Sequence, residues 1–331
     1  MTVLVTGGAG YIGSHMVLEL LDAGENVVVL DNLSTGFAWA VDPRATLVVG
    51  DMGDQGLVET LMRLHDIDAV IHFAARIVVP DSVADPLGYY LANTVKTRAV
   101  MAAAVATGVR RFIFSSTAAV YGSPEVMPVK EEAPTLPESP YGTSKLITEW
   151  MLRDAAAAHD LTYVVLRYFN VAGADPLGRT GQSTPNATHL IKVAVQTALG
   201  LRAKMDVFGT DYPTPDGTCL RDYIHVTDLV RAHLAALAHL RTGGESMVAN
   251  CGYGHGYSVK EVVDTVRAVT KVDFRADYAP RRPGDAAAVV ADATRARTRL
   301  GWTPAHDDLT GIVEAAYAWE RRLANGDVGR G

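Results

Sequence analysis

The sequence predicts an α/β fold, a doubly wound parallel sheet with a second, smaller α/β substrate lobe, and three observations carry that expectation. Short β-branched runs alternate with helical stretches through the first half of the chain. A glycine-rich turn, TGGAGYIG, joins the first such run to the first helix. After about residue 172 the texture shifts to loops rich in glycine, proline and aspartate. Continuous apolar strands separated by helices imply a parallel sheet covered on both faces. Right-handed crossovers then make it a Rossmann-type sheet.

The elements follow in order. VLVTGG (3–8) reads as a buried strand and YIGSHMVLELLDAG (11–24) as a helix closed by Gly24. VVVLD (27–31), TLVVGD (46–51), AVIHFAA (69–75), RFIFSS (111–116) and YVVLRYFN (163–170) are the next strands. Helical segments lie near 56–65 and 87–107, and another begins near Pro140. GADPLGRTGQSTPN (173–186) and GTDYPTPDGTCLRDY (209–223) are loops, and helices return near 188–200, 227–241, 259–270 and 307–323. A cofactor domain is therefore expected over 1–172, with 173–331 mainly a substrate lobe. No linker separates the two, so they are expected to interleave.

A length of 331 residues suffices for a large core. The net charge of −7 argues against a nucleic-acid or anionic-membrane partner, although a small anionic ligand needs only a local site. Cys219 and Cys251 stand far apart with no CxxC, which reads as two reduced structural thiols. No His/Cys/Asp/Glu cluster has metal-ligand spacing, so no metal is expected. No apolar run reaches the ~18 residues of a membrane span, and no signal-like segment precedes the first strand. A cytoplasmic location is the expectation.

Gly7, Gly10 and Gly13 fall in the first strand–helix turn, where glycine lets backbone N–H groups approach a pyrophosphate. The helix N-terminus adds unpaired donors and partial positive charge. A glycine turn alone is weak evidence. Asp31 strengthens it: the residue ends the second strand, close to the ~20-residue spacing expected of the acid that binds ribose hydroxyls. A carboxylate there repels a 2′-phosphate, so the expected cofactor is NAD. Asp51, ending the third strand, is the candidate adenine contact.

Tyr141 and Lys145 share one helical face. A free tyrosine has a pKa near 10, and to act as a base at neutral pH it must fall by about 3 units. A lysine ammonium one turn away, and a nicotinamide cation, both favour the phenolate. Such pairs are common by chance, but this one follows a strand whose end, SSTAAVYG (115–122), is where dinucleotide sheets bind ligands. Thr117 can add a hydroxyl bridging sugar and phenolate. His72 and His225 read as packed, structural histidines.

TGGAGYIG, LDNLSTG, HFAA, SSTAAVYG, SPYGTSK and LRYFNVAGA together resemble the extended short-chain dehydrogenase/reductase superfamily. GTDYPTPDGTCLRDYIHVTDL (209–229) and APRRPGDAAAVVADATRA (279–296) are similar to its UDP-glucose 4-epimerase family, so the resemblance spans nearly the whole chain. It implies interconversion of UDP-galactose and UDP-glucose through a 4-keto sugar, with retained NAD, Tyr141 as base, and Lys145 and Thr117 assisting. By the same resemblance Tyr11 and Ile12 lie at the pyrophosphate turn, and Asp31, Asn32 and Ser34 hold the adenosine ribose. Asp51 and Met52 flank adenine, Phe73, Ala74 and Ala75 line the cofactor channel, and Asn93 and Phe169 are cofactor-side. Asn170, Phe208, Arg221, Tyr223, Arg282, Asp285 and Val289 are the implied UDP-sugar residues. Paired arginines suit a diphosphate. A homodimer is implied as well.

Three departures stand out. Ile77, after Arg76, occupies a position where many relatives carry lysine; Lys96-Thr97 replaces a usual Gly-Thr; and Val289 replaces a frequent large tyrosine. The small valine raises the expectation that bulkier, N-acetylated sugars enter. Alternatives are an epimerase for another UDP-sugar, including a uronic acid, or a related dehydratase or dehydrogenase. Dehydratases place Asp-Glu after the threonine, where this chain has Ala118 and Ala119. A non-catalytic NAD-sensing or scaffold protein usually loses the tyrosine or lysine, and both are retained.

Overall fold

A computed structural model describes residues 1–185, 187–282 and 285–329. Asn186, Pro283 and Gly284, inside two of the stretches quoted above, lie outside the described residues. Seven parallel strands form the central sheet: β1 Thr2–Thr6, β2 Asn26–Asp31, β3 Thr46–Val49, β4 Ile67–His72, β5 Arg111–Ser115, β6 Thr162–Tyr168 and the strand Met247–Cys251. Their spatial order is β3-β2-β1-β4-β5-β6, then Met247–Cys251. The direction of winding reverses between β1 and β4, which is where such sheets open a ligand crevice.

Alternate residues of each strand enter opposite cores, as strand pleating requires. Val3, Val5, Val29, Ile71, Ile113 and Leu166 face one side, with helices Tyr11–Asp22 and Val226–Arg241. Leu4, Val28, Leu30, Val70, Phe112 and Val165 face the other, with Val58, Leu61, Val100 and Leu152. A third, small cluster gathers Ala118, Val120, Tyr121, Val129 and Leu146, and Phe169 and Val289 pack on it.

The structure redraws several expected boundaries. β4 stops at His72 because the Phe73 and Ala74 amides both turn to the Thr6 carbonyl, at 3.0 and 3.1 Å. The run 163–170 is cut after Tyr168: Asn170–Ala172 leaves the sheet to pair in parallel with Tyr223–His225. The helix expected over 87–107 contains a π-helical turn, Tyr90–Val95, between Pro86–Tyr89 and Lys96–Thr107. Met247–Cys251 was not anticipated; it extends the sheet beyond β6.

The remaining strands build the second lobe. Leu220–Arg221 pairs with Tyr257–Ser258 and with Ala288–Val289, while Met205–Phe208 pairs with Ala276–Ala279. No helix among the described residues is long and apolar enough to cross a membrane.

Candidate active site

The cofactor end is shaped by close backbone approaches. Gly7 has φ +75°, and a Cβ there would stand 2.6 Å from the Ala74 amide nitrogen. A Cβ on Gly13 would lie 2.1 Å from the Gly7 carbonyl oxygen. Only glycine permits either contact. The helix from Tyr11 starts on Gly10 without a side-chain cap, so its first-turn donors are not taken by a side chain. Asp31 accepts the Ala9 amide on Oδ2 (3.0 Å) and the Leu33 amide on Oδ1 (2.8 Å). It therefore braces the glycine turn while each oxygen keeps acceptor capacity for a ribose hydroxyl. Asn32 accepts the Ser34 amide. These features fit a dinucleotide.

Several sequence-derived cofactor residues are already engaged. The Tyr11 hydroxyl donates to the Gly173 carbonyl (2.7 Å) and Ile12 packs on the core, which leaves their backbone to face the turn. Met52 is buried in the second core. Phe73 lies against His233, with ring centroids 4.8 Å apart, and Ala74 closes on Gly7; Ala75 follows it in the same loop. The Asn93 amide donates to the Arg76 carbonyl and the Ser144 hydroxyl, and its oxygen accepts the Arg76 amide. Asn93 thus ties the loop after β4 to the helix Pro140–Ala158 and has no spare donor.

The Lys96-Thr97 departure has a structural use. Lys96 pairs with Asp51, which also accepts the Gly53 amide. Burial pushes the Asp51 carboxyl up, but Lys96 and the amide hold it below its ordinary value. Thr97 hydrogen-bonds to His72 Nε2 while Thr6 engages Nδ1, and burial takes this histidine down to about 3. His72 is a neutral core residue. His225 caps the helix Val226–Arg241, its Nδ1 accepting the Thr227 amide.

The helix Pro140–Ala158 begins where the Ser139 hydroxyl accepts the Gly142 amide and Pro140 takes the first position. A Cβ on Gly142 would meet the Ala119 carbonyl at 2.6 Å, so this helix sits directly on the Thr117–Val120 segment. Tyr141, Lys145 and Thr117 are all buried. The Thr117 hydroxyl accepts the Ala119 amide (3.1 Å), and against the upward push of burial the Thr117 side chain pulls the Tyr141 phenol's pKa down.

The electrostatics correct one expectation. Burial, then Tyr168, push the Tyr141 phenol well above its ordinary range, against the pull of Thr117. Lys145 does not relieve it in the protein alone. Its ammonium donates to the Ser115 carbonyl (2.9 Å) and lies 4.9 Å from the Phe114 ring centroid. Burial takes Lys145 down to about 7, with Glu149 pulling back. One of its three donors is used among the described residues, which leaves two for a ligand's hydroxyls.

A pH experiment follows from this. Between about pH 7 and the unfolded value of 10.5, the unfolded chain holds a proton on Lys145 that the folded chain has lost. Stability from this group therefore rises with pH across that window, and below it the full penalty for burying the charge applies. Denaturant titrations should show wild type gaining stability over Lys145→Met between pH 6 and 9. A pH-independent difference would contradict the assignment.

Sequence reasoning missed the support behind this corner. Glu149 accepts from Ser116 Oγ (2.5 Å) and from Arg167 Nε and Nη2, and Arg167 Nη1 reaches the Tyr121 hydroxyl. All are buried. The signal was available: Tyr141, Lys145 and Glu149 repeat every four residues on one helical face, beside Thr117 through Ser116.

The candidate substrate residues fall into two groups. Val289 pairs in register with Arg221, and Asn170 with Tyr223. Val289 and Phe169 pack on the cluster containing Ala118 and Leu146, which brings the second lobe against the Thr117–Val120 segment. The Arg282 guanidinium stacks 3.7 Å from the Phe208 ring centroid, and Asp285 lies 3.6 Å from Arg221. A narrow cleft is lined by Asn170 and Tyr223 with Leu190, Lys192, Trp319 and Glu320, but not by Tyr141, Arg221 or Arg282. A buried Lys192–Glu320 ion pair lies among its lining residues.

The model of the NAD dependent epimerase/dehydratase family matches residues 3–252. The UDP-glucose 4-epimerase of Azospirillum brasilense is 58% identical over 97% of this chain and 92% of its own length. The crystal structure of UDP-glucose 4-epimerase from Brucella ovis in complex with NAD superposes with a TM-score of 0.94, at 44% identity, covering 96% of this chain and 97% of that one. The Bifidobacterium longum UDP-glucose 4-epimerase in complex with NAD+ and UDP gives 0.93 at 39% identity, covering 98% and 100%.

Proposed function

The chain belongs to the NAD dependent epimerase/dehydratase family, and on that premise we propose that it interconverts UDP-galactose and UDP-glucose. The observation that carries the chemistry is the buried pair Tyr141 and Lys145 on a helix packed against the Thr117–Val120 segment, with Lys145 on the Ser115 carbonyl at the end of β5 in a dinucleotide sheet. The chemistry that NAD supplies when bound is reversible hydride exchange with sugar C4, through a 4-keto sugar that is reduced again on its other face.

Tyr141 takes the proton of the C4 hydroxyl and later returns it, and Thr117 holds the sugar oxygen and the phenol in one hydrogen-bond chain. Lys145 offers its spare donors to the nicotinamide ribose. The glycine turn with the helix N-terminus at Tyr11 takes the pyrophosphate, and Asp31 the adenosine ribose. Arg221 and Arg282 serve the UDP diphosphate, with Asn170, Phe208, Tyr223 and Asp285 around them. Apolar Phe169 and Val289 leave room for the keto sugar to turn over.

The test uses purified protein, UDP-galactose and no added NAD. Formation of UDP-glucose without accumulating NADH is the expected result. No conversion, even with NAD supplied, rejects this substrate; UDP-glucuronate and UDP-N-acetylglucosamine are the next to try. Val289 gives a second prediction: Val289→Tyr cuts turnover of UDP-N-acetylglucosamine by about tenfold relative to UDP-glucose, the modest scale of one pocket side chain. An unchanged ratio removes Val289 from specificity.

The same reading includes a homodimer. Leu87, Leu91 and Val95 are 79%, 53% and 54% exposed at four-residue spacing, and Trp150, 46% exposed, lies on the Tyr141 helix. Such apolar exposure suits a second copy. Light scattering of wild type against Leu91→Glu tests it. Buried, unpaired Cys219 and Cys251 suit a cytoplasmic setting.

A further inference from the structure

Arg221 and Tyr223 flank Asp222, a residue with no part in the reading above. Its side chain is fully buried. Oδ1 accepts the Tyr253 amide (2.9 Å), and Oδ2 accepts the amides of Gly254 (3.0 Å) and Ala291 (3.2 Å). Its own amide donates to the Val289 carbonyl (3.2 Å), and its carbonyl accepts the Asn170 amide (3.0 Å). One residue thus touches the strand that carries Asn170, the segment that carries Val289, and the turn after Met247–Cys251.

Among the described residues no Lys or Arg forms a salt bridge with this carboxylate, and three backbone amides sustain its burial. The space around it is tight. A Cβ on Gly252 would stand 2.5 Å from Asp222 Oδ2 and 2.7 Å from the Ala291 Cβ.

We propose that Asp222 is a positioning residue for the nucleotide-sugar: by holding three backbone amides from two segments, its carboxylate sets Arg221 opposite Val289 and Tyr223 opposite Asn170. The inference rests on the UDP-sugar reading above. None of these hydrogen-bond partners belongs to the glycine turn or to the Tyr141 helix, so the effect falls on substrate binding and spares the cofactor.

Asp222→Asn keeps the shape but has one acceptor oxygen. In either amide orientation its NH2 faces at least one of the three backbone N–H groups. With the NAD-loaded protein, the Kd for UDP by calorimetry and the KM for UDP-galactose should each rise about tenfold. kcat should stay within about threefold, and bound NAD per chain should be unchanged. A purely structural role would lower the melting temperature without this split.

Gly252→Ala is the second variant, and it carries the test where the asparagine variant gives no soluble protein. It leaves Asp222 in place but crowds Oδ2, and the same split is expected at about threefold. UDP affinity and KM unchanged in a folded variant, or kcat falling while KM holds, overturns the proposal. Wild type that fails to bind UDP takes down the substrate reading and this inference with it. Wild type that binds UDP, with variants binding equally well, sinks this inference alone.

Discussion

Tyr141→Phe is expected to lower kcat for UDP-galactose conversion by about 10³-fold, the scale of a lost acid–base group. Bound NAD and folding should be almost unchanged. The change removes one oxygen and leaves the buried ring in place. The ring stays in a buried position that burial already disfavours for a charged phenolate. Proton transfer therefore loses its acceptor while packing keeps its volume. Turnover, absorbance of bound cofactor and thermal melting on one preparation separate the two effects. A phenylalanine variant within tenfold of wild type would remove Tyr141 from the proton path and pass the role to another group.

Glu149→Ala is expected to cost about 3–5 kcal/mol of stability, because it strands a buried guanidinium. Arg167 gives Nε and Nη2 to Glu149, and its other recorded acceptors are the Tyr121 hydroxyl and the Glu131 carbonyl. Glu149 also receives the Ser116 hydroxyl, one residue before Thr117, so catalysis should suffer alongside stability. Urea titration measures the first effect and kcat the second. Replacing both partners together, as Glu149→Leu with Arg167→Met, should recover most of the lost stability, since no uncompensated charge then remains. A double variant as unstable as the single one would show that the pair acts through more than charge burial.

The sheet was legible in the sequence because its inner strands are buried on both faces, and such strands are largely apolar runs. Met247–Cys251 escaped because MVANC is only five residues long and its place depends on the open edge of β6, which no local pattern encodes. The break after Tyr168 escaped similarly, because 163–170 reads as one strand while the residues from Asn170 on pair with Tyr223–His225, far along the chain.

The site divides along the same line. Gly7, Gly13, Asp31, Tyr141 and Lys145 stand at short spacings that local turn and helix geometry convert directly into position, so the sequence by itself determined a dinucleotide sheet with a tyrosine–lysine pair at its opening. It could not determine the charge state of that pair. Spacing puts Lys145 one turn from Tyr141, but tertiary packing buries both and sends the ammonium to the Ser115 carbonyl. The braces were also out of reach: Asn93 holding the Arg76 loop, Glu149 against Arg167, and Asp222 on amides of residues 253, 254 and 291. Each satisfies a buried polar group with partners distant in the chain, and only the folded backbone decides which partners those are.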